Sequence, residues 1–183
     1  MIKGTGWIRP KKYGCQKLKI QAAYSDLKAL HNRLQPDIFK YPVENFGRFD
    51  PVSKLAVISI ALALFDAKIT YAKGKKQPIS ILGSNSSGAR DANLAYFNDY
   101  IANGRTLARG NLFIYTLPSS FLAEAAIHFG LTGKLIYLGF PENAEQESLK
   151  YALNMLKDEP AKTIILVNAD AEGATAQVLQ KSR

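Results

Sequence analysis

Two loops carry the residues whose types and spacing could do chemistry. The first is G83-S-N-S-S-G88, and the second is G139-F-P-E-N143, which lies between an apolar strand and a helix. A sharp strand–helix turn is where many α/β enzymes hold a nucleophile, since the helix dipole lowers the pKa of a thiol there. The second loop has Glu142 in place of Cys or Ser. An acid at a helix N-terminus is explained by the dipole alone.

The first loop does not fit a phosphate-binding or nucleophile motif. A P-loop needs Lys directly after its second glycine, but Ala89 follows Gly88. A nucleophile elbow needs glycine two residues before the serine, but Ser84 stands before Ser86. The pattern therefore favours a tight turn of small residues. An acyl-thioester hydrolase that uses Ser86 or Ser87 stays an alternative.

The cysteine and histidine content argues against a metal or another cofactor. Cys15, His31 and His128 are far apart in sequence and form no ligand cluster. We expect His128 to be a packing residue whose hydrogen bonds are satisfied. One cysteine excludes an internal disulfide, and the N-terminus has no secretory signal, so we expect a cytoplasmic protein. The longest apolar run, 55–65, is too short to span a bilayer.

Positive charge is concentrated near the start of the chain. The formal net charge is +9, and residues 1–48 hold ten Lys and Arg against three acids. Such a surface favours an acidic partner, and Lys11, Lys12, Lys17 and Lys19 are the candidate partner-binding residues. A basic nucleic-acid-binding module is a further alternative, but no zinc finger, RRM or KH signature occurs, so nucleic acid is not the expected partner.

The predicted helices and strands alternate, which favours an α/β class and one domain over 1–183. The strongest helix begins at Asp50 and Pro51, and it should be buried because 55–65 is apolar nearly all round. An amphipathic helix should place Leu94, Phe97 and Ile101 on one face. The other predictions are helices 25–34, 116–130 and 144–158, strands 79–82, 135–138 and 163–170, and a short closing tail. In helix 144–158 we expect Leu149, Ala152, Leu153 and Leu156 to face inward.

Five segments together resemble the N-terminal half of a β-ketoacyl-acyl-carrier-protein synthase. They are I2-K-G-T-G-W-I-R-P-K-K-Y-G14, F49 to A67, I81-L-G-S-N-S-S-G88, Y115-T-L-P-S119 and E124-A-A-I-H-F-G-L-T-G133. The resemblance covers nearly the whole chain, and its more specific parts are the TLPS and FGLTG segments. It implies a thiolase-like half-fold, in which a mixed central sheet is packed with a buried helix and covering helices.

The same resemblance implies a protein without condensing activity. Counted without gaps from L131-T-G133, the family's nucleophilic cysteine falls at Glu142. The family's catalytic histidines lie in a second half that this chain does not match, and neither His31 nor His128 corresponds to them. The chain would then be an accessory protein of a fatty-acid, polyene or polyketide-type pathway, related in role to chain-length factors. Its partner would be an acyl carrier protein or an active ketosynthase.

The half-fold also implies association. The full fold is a sandwich of two similar halves, so one half should leave an apolar sheet-and-helix face exposed. A large apolar face marks an interface. We therefore expect a homodimer or a heterodimer.

Overall fold

A seven-stranded mixed sheet with helices on both faces forms the body of the molecule. The structure of the chain is a computed structural model, and it describes residues 1–103, 109–140, 143–158 and 162–181. The strand order is β3-β2-β1-β7-β6-β4-β5, with β4 parallel to β5 and β6 and every other pair antiparallel. The strands are β1 Ile2–Arg9, β2 Lys12–Cys15, β3 Ile20–Ala23, β4 Ser80–Ser84, β5 Leu135–Tyr137, β6 Thr163–Asp170 and β7 Gly173–Gln180.

Helices cover the two faces of the sheet unequally. Helices α2 and α5 pack on one face with the larger part of the core, and α6 packs on the other over β4, β6 and the end of β7. The helices are α1 Leu27–Arg33, α2 Pro51–Asp66, α3 Arg90–Ala102, α4 Gly110–Phe113, α5 Ser120–Phe129 and α6 Ala144–Asp158. Short 3-10 turns occur at Phe46–Arg48 and Ile114–Thr116.

Helix α2 is the buried helix that the sequence predicts. The Asp50 carboxylate accepts a hydrogen bond from the Ser53 amide (2.9 Å) and caps the helix, and Pro51 occupies the first helical position. Every side chain from Leu55 to Leu64 is buried, because α2 contacts β1, β7, β6 and α5. The predicted cap and burial are both confirmed.

Two glycines of β1 allow α2 to lie directly on the backbone of the sheet. A Cβ at Gly6 would lie 2.3 Å from the Ser59 carbonyl oxygen, and one at Gly4 would lie 2.4 Å from the Ala67 nitrogen. Neither distance is compatible with a side chain. The glycines therefore set the spacing between helix and sheet.

The buried Asp66 fastens the other end of α2 to the strands. Its carboxylate accepts hydrogen bonds from the amides of Thr5 (2.8 Å), Leu18 (2.8 Å) and Lys17 (3.2 Å). Burial, together with the negative charge of Asp66, raises the pKa of the neighbouring Cys15 thiol to about 12. The thiol therefore stays protonated and unreactive.

The prediction for the C-terminal end of the chain is wrong, and two small strands near the N-terminus were not predicted. Residues 173–180, predicted as a tail, form β7, which lies in the sheet between β1 and β6. The basic stretch after β1 forms the small strands β2 and β3, which extend the sheet beyond β1. The inward-facing residues of β7 include Ala174 and Ala176. Because alanine is not a strand-favouring residue, the sequence gives only a weak indication of this strand.

The face of the sheet beside α6, opposite the buried helix α2, is not apolar. The sheet face left uncovered beside α6 carries mostly polar side chains from β1 and β7, namely Lys3, Thr5, Trp7, Thr175 and Gln177. On α6, Ala152 and Leu156 face inward as predicted, but Leu153 is 40% exposed and Ser148 is buried instead. This side of the molecule is compatible with water.

Replacing Gly6 with Ala tests the helix–sheet spacing. Because the new Cβ collides with the α2 backbone, we expect unfolding free energy to fall by about 2–3 kcal/mol, measured by urea denaturation. Gly47→Ala is the matched control, since no heavy atom lies within 4 Å of a Cβ there. Equal effects from both substitutions would contradict this account.

Replacing Asp66 with Ala tests the fastening at the end of α2. Three amides lose a charged acceptor, so we expect a loss of about 3 kcal/mol in unfolding free energy. Asp37→Ala removes an exposed carboxylate as the control. A loss for Asp66→Ala no larger than for the control would show that solvent replaces the carboxylate.

Candidate functional site

The carboxyl ends of the three parallel strands meet at one edge of the sheet, which we call the site edge. Strand β4 ends at Ser84, β5 at Tyr137 and β6 at Asp170. In open α/β sheets, ligands bind beyond the carboxyl ends of parallel strands. Both chemically suggestive loops begin here, since 83–88 follows β4 and 139–143 follows β5.

The loop after β4 is a tight turn closed by its own asparagine. Asn85 Nδ2 donates to the Gly88 carbonyl (2.9 Å), and Asn85 Oδ1 accepts from the Gly88 amide (2.8 Å). The Tyr137 hydroxyl donates to the same Oδ1 (2.8 Å). Gly88 has a φ of +61°, which favours glycine. The interpretation of 83–88 as a turn of small residues is supported.

Two further contacts hold the loop between β6 and α6. The Asp170 carboxylate accepts from both the amide (3.0 Å) and the hydroxyl (2.8 Å) of Ser86. The buried Ser148 hydroxyl on α6 donates to the Ser84 hydroxyl (3.0 Å). Burial and the charge of Asp170 raise the pKa of Tyr137, so this phenol stays protonated at neutral pH.

The two histidines lie in an aromatic cluster rather than beside the serines. His31 stacks on Phe46 (4.4 Å between ring centroids), and its Nε2 accepts from the Val43 amide (3.2 Å). His128 lies against Phe39 and Tyr41. The described residues give Ser86 a carboxylate partner and give Ser87 no side-chain partner, so neither serine has an imidazole base.

The residue predicted at the nucleophile position, Glu142, lies outside the described residues, as does Pro141. The elements that flank it are those predicted: β5 ends at Tyr137 and α6 begins at Ala144. The amide of Glu147 donates to the carbonyl of Asn143 (3.0 Å), which starts the helix.

An apolar groove of about 400 Å³ opens beside the site edge. It lies between the start of α2, the 85–89 loop, α3 and the start of α5. Its polar lining includes Asn85 and Ser87, and its apolar lining includes Leu112, Leu117 and Phe121. A groove of this size could hold a ligand or a partner's side chains.

The groove adjoins a cluster of exposed apolar side chains, which we call the apolar face. Helix α3 buries none of its side chains, and its predicted apolar stripe points to solvent. The 3-10 turn Ile114–Thr116 packs beside α3, where Asn93 Nδ2 donates to the Thr116 carbonyl (3.1 Å). The members are 47–62% exposed: Leu94, Phe97, Ile101, Phe113, Ile114 and Leu117.

The four predicted partner-binding lysines divide into two pairs at opposite ends of the β1–β3 strands. Lys11 and Lys12 follow β1 at the end nearer the site edge. Lys17 and Lys19 lie in the β2–β3 turn at the other end, close to the end of α2. All four are exposed, so the structure does not bring them together into one patch.

The polar residues that shape the site edge were not predicted from the sequence. Asp170 and Tyr137 lie at the ends of apolar strands, and this position is the one feature of the sequence that indicates them as site residues. Within the described residues, no group of His, Cys, Asp and Glu could hold a metal ion.

The described part of the chain holds no single helix that is long and apolar enough to cross a membrane. The pair Gly110–Thr116 and Ser120–Phe129 passes by length and composition, but bends by 102° between its two parts.

Comparison with known proteins gives matches among solved structures alone. No protein-family model matches the chain, and no curated protein sequence matches it significantly. The ishigamide ketosynthase/chain length factor is similar over 99% of this chain, with a TM-score of 0.71 and 11% identity. The ketosynthase ApeO in complex with its chain length factor ApeC, from Xenorhabdus doucetiae, is similar over 100% (TM-score 0.65, 15% identity).

A third match is to AntDE:AntF, a type II polyketide synthase acyl-carrier protein in complex with its ketosynthase. It covers 98% of this chain, with a TM-score of 0.63 and 10% identity. This chain spans 62%, 79% and 57% of the respective matched chains. Such low identities show the fold alone: the chain has the thiolase-like fold of the ketosynthases and chain length factors.

Proposed function

We propose that the chain is a non-catalytic subunit that pairs with an active ketosynthase in a fatty-acid, polyene or polyketide-type pathway. The apolar face on α3 and the 113–117 segment carries this proposal, because its six large apolar side chains are 47–62% exposed in the part of the chain that the structure describes. Two structures of the same fold are named for a ketosynthase together with a chain length factor. A subunit of that kind needs an interface more than it needs a nucleophile.

The composition of the apolar face suits an interface. Phe97 and Phe113 are exposed aromatic side chains of a type enriched in protein–protein interfaces, and Tyr96 packs against Phe113 (5.5 Å between centroids). A partner that covers α3 would bury Leu94, Phe97 and Ile101 together, since they share one face of the helix. The core itself gives α3 little support.

The site edge is consistent with a subunit that does no chemistry. The Ser86 hydroxyl is held by a carboxylate without an imidazole, and this arrangement does not generate a strong nucleophile. An acid at position 142, in place of the family's cysteine, would be a poor acyl acceptor. Both features support the non-catalytic role over the alternative of a thioester hydrolase.

An acyl carrier protein is a second candidate partner, supported by a basic edge opposite the site edge. We call it the lysine edge: Lys17, Lys19, Lys68, Lys162 and Lys181, with the Met1 ammonium beside Gln180. Near Lys11 and Lys12, by contrast, the acids Asp26 and Glu172 occupy adjacent turns. Charge complementarity therefore favours the lysine edge for an acidic carrier protein.

Light scattering and titration with the ketosynthases of the source organism test the pairing. We expect a stable heteromer, and Phe97→Asp should weaken its Kd by about 30-fold or more by placing a charge at the centre of the interface. Leu153→Asp, at an exposed apolar position on α6, is the matched control and should leave Kd unchanged.

Failure to bind any ketosynthase would refute the proposed function. If Leu153→Asp weakened the complex as much as Phe97→Asp, the interface would lie elsewhere. An acyl-thioester turnover that disappears with Ser86→Ala would instead favour the hydrolase alternative.

Charge reversal on the two lysine pairs tests the carrier-protein interaction. We expect Lys17→Glu with Lys19→Glu to weaken binding of the acyl carrier protein by about tenfold at low salt, measured by isothermal titration. Lys11→Glu with Lys12→Glu makes the same change in net charge and should have a smaller effect. A larger loss of binding from the Lys11 and Lys12 substitutions would instead indicate that the carrier protein docks at the site edge.

A further inference from the structure

A second cavity, which we call the lateral cleft, lies outside everything that the proposed function uses. It has a volume of about 310 Å³ and lies between α5 and the loops 41–49 and 73–76. The Phe49 side chain lines both this cleft and the groove beside the site edge, so the two cavities are neighbours. Its volume is at the lower end of the range of small-molecule sites.

The walls of the lateral cleft are apolar and aromatic. Tyr41 and His128 form one side, with 4.6 Å between their ring centroids, and the Tyr41 hydroxyl donates to the His128 carbonyl. Val43, Ile127 and Glu124 also line the walls, and the Glu124 carboxylate accepts a hydrogen bond from the Tyr115 hydroxyl (3.0 Å). Ile127 is 79% exposed, the largest exposure among the large hydrophobic residues that the structure describes, although it lies on a helix packed into the core. Covering it would remove apolar surface from water.

The rim of the lateral cleft is basic. Lys73 forms an exposed ion pair with Glu44 (2.9 Å), whereas Lys75 and Lys76 have no carboxylate partner among the described residues. The loop that carries them is held against the end of α5, because the Gln77 amide donates to the Gly130 carbonyl (2.7 Å). Gly130 has no room for a Cβ, which would lie 2.3 Å from the Lys75 carbonyl oxygen. The backbone that carries these two exposed lysines therefore has a defined position on the rim.

His128 supplies an unpaired polar atom in the wall. The residue is 8% exposed, and its Nε2 is buried without a hydrogen-bond partner among the described residues. The predicted packing role is confirmed by its ring contacts, but the predicted satisfaction of its hydrogen bonds is not. Burial lowers the pKa of His128 to about 4, so the ring is neutral.

We propose that the lateral cleft binds a small organic anion with an apolar body. The body packs against Tyr41, Val43 and Ile127, and a carboxylate or phosphate head meets Lys75 and Lys76. His128 lies at the wall, where a bound molecule changes its environment. This site is independent of ketosynthase pairing, and it depends on neither the apolar face nor the site edge.

Histidine NMR of the full chain tests the proposal, because the chain has only two histidines and only His128 lines the cleft. The probes are sodium decanoate and decyl phosphate, both below their micellar concentrations. We expect saturable shifts of the His128 ring signals by both probes, larger than those of His31, which is linked to the cleft through the Val43 amide. The tighter of the two probes identifies the preferred head group. Inorganic phosphate alone should leave His128 unmoved, because it lacks the apolar body.

Three exposed positions give two variants that should fold normally. Lys75→Ala with Lys76→Ala should weaken decanoate binding by about tenfold, because two partly exposed ion pairs with the carboxylate of the probe are lost. Ile127→Asp should abolish it. The matched control, Lys17→Ala with Lys19→Ala, removes the same charge at the lysine edge and should change Kd less than twofold.

Three results would overturn the site. The first is the absence of any His128 shift with either probe. The second is a loss of affinity in the Lys17 and Lys19 variant equal to that in the Lys75 and Lys76 variant. The third is full decanoate affinity in Ile127→Asp, which would place the bound molecule on the apolar face instead.

Discussion

The close approach of α2 to β1 is the constraint on which the rest of the structure depends. Gly4 and Gly6 present bare backbone to the helix, and Asp66 fastens its far end to the hairpin that follows β1. An apolar helix can be buried this deeply only if sheet and helices cover it on several sides. Strands β6 and β7 and helix α5 are accordingly placed against it.

The distribution of polarity separates two surfaces that the sequence alone would treat alike. The uncovered sheet face carries residues such as Lys3 and Gln177, so it needs no partner to be stable in water. The apolar face on α3 has the opposite character, since Phe97 and Ile101 lie in solvent. A surface helix with no buried side chain gains little from the core of its own chain. Its sequence is better explained by a protein surface that packs over it.

Local signals in the sequence predict elements well and their partners poorly. The bounds of α6 and the cap of α2 were predictable because capping residues and helical periodicity act within a few residues. The position of β7 was not, since small residues such as Ala176 become core only when α2 lies above them. The hydrogen bond between Ser86 and Asp170 joins residues 84 positions apart in the sequence, and no spacing rule predicts it. Periodicity also places Leu94 and Phe97 on one face without indicating which way that face points.

The polar groups at the site edge serve to hold its own loop. Asn85 closes the turn and accepts the Tyr137 hydroxyl, and Asp170 accepts both donors of Ser86. Groups committed in this way stabilise one loop conformation, whereas catalysis needs groups that exchange protons with a substrate. A rigid loop is still useful to a subunit of a complex, because it fixes the groove and the apolar face beside it. The same strand ends that would present a nucleophile in an enzyme would here keep an interface in shape.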